Sequence, residues 1–214
     1  DRQGAIALYK QAQAGFESVG DLTGTAAVQG NLAIIAQSRQ PAKAEQLYRM
    51  AASKHHQAEA LHAERLQMTN VARMRFVQGR FKESIAEYSS LSSRWLQLGQ
   101  RIMAANCQFH IGVIRLYEGL HEDALTALSS AFKTLHGTGR QELAGTTAGY
   151  LAVCQALELR GREADASLRY CKQVLDNHER TDVTALVEFC TLGVRCGHLE
   201  SMQQTGSGWL QDWQ

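Results

Sequence analysis

Histidine, cysteine and asparagine are the residue types here whose spacing invites a chemical reading, and each pattern can be held against what its chemistry needs. His55, His56 and His62 cluster in sequence, with His55 and His62 about two helical turns apart. No carboxylate or thiol completes a ligand set around them at zinc spacing, so they read as an exposed helical trio. The five cysteines, Cys107, Cys154, Cys171, Cys190 and Cys196, contain no CxxC pair, and an odd number leaves one over if disulfides formed. That usage fits reduced thiols packed as small apolar residues, and with it a cytoplasmic setting. No phosphate-binding Gly-rich loop, HExxH or GxSxG occurs, and Gly145 or Gly149 alone does not make a pocket. No catalytic residue, metal or cofactor is expected. What remains is a polar ladder of Asn31, Asn70, His110, Tyr150 and Thr191, with rungs 39, 40, 40 and 41 residues apart. An asparagine amide offers donor and acceptor together, which suits holding a peptide backbone. The same amides can bond to neighbouring helices instead, and for Asn31 and Asn70 both readings stand open.

The ladder is regular because the elements that carry it repeat. Each rung precedes an aliphatic-small pair, at Leu32-Ala33, Val71-Ala72, Ile111-Gly112, Leu151-Ala152 and Leu192-Gly193, which marks the first helix of a unit. A small residue four before a bulky one marks the second helix, at Ala5 and Tyr9, Ala44 and Tyr48, Ser84 and Tyr88, Ala124 and Leu128, and Ala166 and Tyr170. Residues four apart share a helix face, so the small member admits a neighbouring helix and the bulky one fills the space a turn along. The second-helix series is spaced 39, 40, 40 and 42, and the gap within a unit rises from 12 to 14 in the last, which predicts a longer turn before Gly161.

Gly79, Gly119 and Gly161 are expected to end first helices in a left-handed conformation, Gly20, Gly99 and Gly139 to end second helices, and Pro41 to open one. Helices are predicted at about 4–19, 22–38, 42–59, 60–78, 81–98, 101–118, 121–136, 141–160, 163–178 and 182–196. The array spans 1–202, with 203–214 a tail or truncated cap in which Trp209 and Trp213 cover the last apolar face.

Composition agrees. The chain has 214 residues with one proline, 7% aromatic residues, 20% charged residues and a formal net charge of +1. That is an all-α composition without the basic or acidic blocks of nucleic-acid partners, and no apolar run is long enough for a membrane span. The first residue is Asp1 rather than Met, which suggests a piece of a longer chain.

Asn-Leu-Ala and Asn-Val-Ala in first helices, Gly-Arg-Phe at 79–81, and Ser84 four before Tyr88 resemble the tetratricopeptide repeat. The period of about 40 is similar to the long-helix variety found in bacterial multidomain signalling ATPases and kinesin light chains. The resemblance implies a right-handed α-α superhelix of about five helical hairpins that binds ligands on a concave face lined by first helices. Carried over position by position, the face would present Asn31, Thr69, Asn70, Arg73, Asn106, Phe109, His110, Thr146 and Tyr150. Some relatives clamp a C-terminal carboxylate with Lys, Asn and Arg. Here Asn31 and Asn70 match, but Gly30, Leu66, Thr69 and Asn106 stand at lysine positions and His110 at the arginine, so that clamp is absent. Arg73, Arg75 and Arg115 place positive charge near the middle, to meet an acidic ligand group or solvent. The function implied is a protein-protein interaction module, free-standing or beside other domains of the same chain. The alternative is a ligand-sensing regulatory array of a signalling ATPase or transcription regulator.

Overall fold

The computed structural model describes residues 2–176, and the regular structure in them is helical throughout. Nine helices follow one another: α1 (Arg2–Ser18), α2 (Leu22–Ala36), α3 (Pro41–Gln57), α4 (Leu61–Val77), α5 (Phe81–Gln97), α6 (Arg101–Tyr117), α7 (His121–Leu135), α8 (Gln141–Leu157) and α9 (Gly161–Asp176). Among the described residues this makes four first-second pairs preceded by α1, rather than five hairpins. The predicted tenth helix, the rung Thr191, Cys190, Cys196 and the 203–214 tail lie outside the described residues. No helix among the described residues is long and apolar enough to cross a membrane.

Helices pack on their neighbours in sequence, as a helical repeat requires. The chain divides into two compact units, residues 1–91 and 92–214. In the first, α1 packs on α2, α2 on α3 and α3 on α4; in the second, α6 packs on α7, α7 on α8, α8 on α9, and α6 also meets α8.

The turns follow one design. At the end of α4, Gly79 adopts φ 73°, its N–H donates to Phe76 O (2.9 Å) and the next N–H, of Arg80, donates to Arg75 O (2.9 Å). This is the Schellman arrangement, which satisfies two of the carbonyls a helix end leaves open. The same pair of bonds closes α3 around Glu59 (φ 55°) and α8 around Leu159 (φ 59°), where a side chain sits in the left-handed region. Two expected glycines are thereby corrected. Gly161 is the first residue of α9, and the left-handed residue before it is Leu159; Gly137 (φ 78°), not Gly139, follows α7. Pro41 opens α3 as its first residue, where its missing N–H costs nothing.

Burial corrects the register of the last unit. Ala44, Ser84, Ala124 and Ala164 are 40 residues apart and at most 1% exposed, whereas Ala166 is exposed. Ala51, Leu91, Ala131 and Cys171 form a second buried row at the same interval. The gap from Ala152 to Ala164 is 12, as in the two units before it, so no longer turn precedes α9. A third row, His55, Trp95, Leu135 and Leu175, is buried throughout, and its one histidine stands among large apolar residues.

The small residues do what their spacing predicts. A Cβ built on Gly112 would come within 2.6 Å of Leu128 Cγ, so α7 approaches α6 closer than any side chain there would allow. At the corresponding place Ser84 Oγ donates to Ala72 O (2.7 Å), tying α5 to α4 and satisfying a fully buried hydroxyl.

Candidate binding faces

In the first unit the expected face is carried by α2 and α4. Asn31 and Asn70 are half-buried, each one step before a pair whose small member, Ala33 or Ala72, is fully buried. Thr69 Oγ1 donates to Arg65 O (2.9 Å), so its proton is engaged by its own helix. Arg73 is held: its Nη2 donates to Gln37 Oε1 at 2.6 Å, and the same oxygen accepts the Tyr48 hydroxyl at 3.2 Å. Burial pushes the Tyr48 phenol above its ordinary pKa, against the opposing pull of Arg73, so the hydroxyl stays a donor. Sequence reasoning missed Gln37 because the contact joins residues 36 apart in the chain.

Arg75 and Arg115 do not stand ready for a ligand. The Arg75 side chain, 12% exposed, lies between Glu45 (3.3 Å) and Glu87 (3.0 Å). Arg115 Nη1 donates to Glu118 Oε2 (2.9 Å). Glu45, with a side chain 8% exposed, also accepts from Arg49 (2.8 Å), Arg80 (2.7 Å) and Gln78 (2.9 Å). Burial pushes its carboxyl pKa up, but the Gln78 amide, Arg49 and Arg80 outweigh that and hold it below 4.5. This network joins α3, α4 and α5, and spacing along the chain gives no sign of it.

In the second unit the face is carried by α6 and α8. Ile102, Met103 and Asn106 line a cleft of about 440 Å³ with Arg140, Gln141 and Glu142. Of the residues expected at the face, Asn106 lines this cleft. Phe109 is buried, its ring edge-on to Tyr150 at 5.6 Å between centroids and tilted against His110 at 5.1 Å. The rungs His110 and Tyr150 thus border one aromatic cluster, in which Phe109 packs α6 against α8. Thr146 Oγ1 donates to Glu142 O (2.9 Å), as Thr69 does to its own helix. Gly145 opens no pocket: a Cβ there would meet Val174 Cγ1 at 2.9 Å.

The histidines do not form an exposed trio. His55 is 5% exposed with Nδ1 buried and unpartnered, and burial lowers its pKa; His56 Nδ1 lies 3.1 Å from Glu64 Oε2; His62 is exposed on α4, a different helix from His55. Among the described residues no three His, Cys, Asp or Glu side chains are grouped to hold a metal ion. Cys107, Cys154 and Cys171 are buried thiols, and burial pushes the first two up to about 12, which suppresses the reactive thiolate.

No protein-family model and no curated protein matches the chain. Among solved structures, the chain is similar to BtubC (BKLC) from P. vanneervenii, with a TM-score of 0.69 at 14% identity over 92% of each chain. At that identity the likeness is one of fold, a helical-repeat-like arrangement.

Proposed function

We propose that this chain is a right-handed array of the tetratricopeptide type and that its first helices hold an extended peptide or protein segment. The observation that carries this reading is the 440 Å³ cleft between α6 and α8 with Asn106 in its wall. An asparagine amide there can bond both the N–H and the C=O of a bound backbone, while Ile102 and Met103 supply apolar surface. Arg140 and Glu142 at its rim give it charges of both signs. In the first unit Asn31 and Asn70 stand at the places that His110 takes in the second, and Arg73, fixed by Gln37, is pre-organised for a carbonyl or acidic side chain. The protein is on this reading a cytoplasmic scaffold rather than an enzyme.

The test is selection of displayed peptides on the full chain, followed by affinity measurement on two variants. Asn106→Ala is expected to weaken selected peptides roughly tenfold, and Asn70→Ala with Arg73→Ala by a comparable factor, with little change in melting temperature. Unchanged affinity in both variants overturns the reading. Loss of folding in the second alone assigns Asn70 and Arg73 to helix packing.

A further inference from the structure

Behind the Asn106 cleft, α6 floors a second and larger one of about 800 Å³, walled by the end of α5 and by α7. The first cleft uses Ile102, Met103 and Asn106, the second Arg101, Ala105, Gln108, Ile111 and Arg115. At 100° per residue the two sets centre about 180° apart, on opposite sides of the helix.

The lining of the second cleft has a definite chemistry. Its floor is small and apolar at Ala104, Ala105 and Ala127, so a main chain can lie close. Along α7 the hydroxyls of Thr126, Ser130 and Thr134 form a row one turn apart. Thr126 and Thr134 donate to the Glu122 and Ser130 carbonyls (3.0 and 3.2 Å), which leaves their lone pairs as acceptors. Acceptors in a row suit a strand-like segment with open N–H groups along its length; a helix would bring only those of its first turn, since the rest are internally bonded.

The charges lie at the ends. Arg101 is exposed at the start of α6, and Asp123, 63% exposed, stands at the other end with Arg115 Nε 3.9 Å away. From residue 101 to 115 the helix runs about 21 Å, the span of about six extended residues.

We infer that this cleft is a second peptide-binding site, which takes an extended segment of another protein with an acidic side chain at Arg101 and a basic one at Asp123. It stands independently of the Asn106 face. The probe is an array of hexapeptides with Glu fixed at one end and Lys at the other, the same set with the ends exchanged, and a set with Gln at both. Labelled full chain is expected to be retained on one polarity roughly threefold or more above the other sets, as exposed charge pairs at two points allow. Arg101→Glu combined with Asp123→Lys leaves the net charge of the chain unchanged and is expected to reverse the preferred polarity, whereas Asn106→Ala leaves it as it was. Equal retention on all three sets, or a preference the double variant does not reverse, overturns the inference. Circular dichroism confirms that the double variant, altered only at exposed residues, remains folded.

Discussion

Backbone conformation and burial give single positions opposite sensitivities to the same change. Gly79 holds φ 73° at the centre of its turn, so Gly79→Ala forces a Cβ into the left-handed region and is expected to cost about 1 kcal/mol. Gly161 is the first residue of α9 with open space around it, so Gly161→Ala should stabilise by about 0.5 kcal/mol through the unfolded chain. Urea midpoints moving in the same direction for both would show that the turn before α9 is misplaced. His55 has the clearest sign. Its row otherwise holds Trp95, Leu135 and Leu175, and its buried Nδ1 has no partner, so His55→Leu should stabilise by about 1 kcal/mol at neutral pH. The gain should grow as pH falls below 6.5, because the unfolded chain then takes up a proton that burial denies the folded imidazole. Urea titrations of both proteins at pH 7.5 and 5.5 read this difference.

At the level of the helix, the buried rows predict that volume is limiting. Ala124 is fully buried where α7 meets its neighbours, and Ala124→Leu should cost roughly 1 to 3 kcal/mol by overpacking, whereas Ala166→Leu, in the row the spacing alone favours, should be nearly neutral. Comparison of their denaturation midpoints decides the register of α9. The other helices were legible because a 40-residue interval repeats a small residue where two helices touch, and packing admits little else there. The last unit was misread because Ala164 and Ala166 both offer a small residue, and Tyr170 four after Ala166 imitates the small-bulky pair; Cys171, 40 after Ala131, carries the true register. The turns at Glu59 and Leu159 were illegible for a different reason, since a side chain held in the left-handed region leaves no mark in composition. At the candidate faces, sequence offered Asn106, which lines the cleft between α6 and α8, but Gln37, which holds Arg73, and Glu45, which holds Arg75, lie 36 and 30 residues away in the chain and cannot be read from a local pattern.

Among the described residues, the buried groups that respond to acid are unevenly distributed between helices. α3 carries both His55 and Glu45, whereas in α7 the corresponding places hold Leu135 and Leu125, both buried. Both α3 groups act in the same direction. His55 has a lowered pKa, so stability falls as pH drops from 6.5 towards its folded value; Glu45 is also lowered, so the stability its network supplies above pH 4.5 is lost as pH falls further through its own folded value. Protonating Glu45 also takes from Arg75 and Arg80 the carboxylate they share, leaving Glu87 and Glu83 as their remaining acidic partners. Repeat arrays open locally, with stability set unit by unit. Acidification from pH 7 to 4 should therefore reduce amide protection in α3 and α4 before it does so in α7 and α8. Hydrogen exchange with mass-spectrometric readout, expressed as protection factors so that the intrinsic pH dependence cancels, measures the order directly. In His55→Leu the first part of that loss, just below pH 6.5, should disappear while the part below pH 4.5 remains. Simultaneous loss across all four helices would mean that acid acts through some group other than these two.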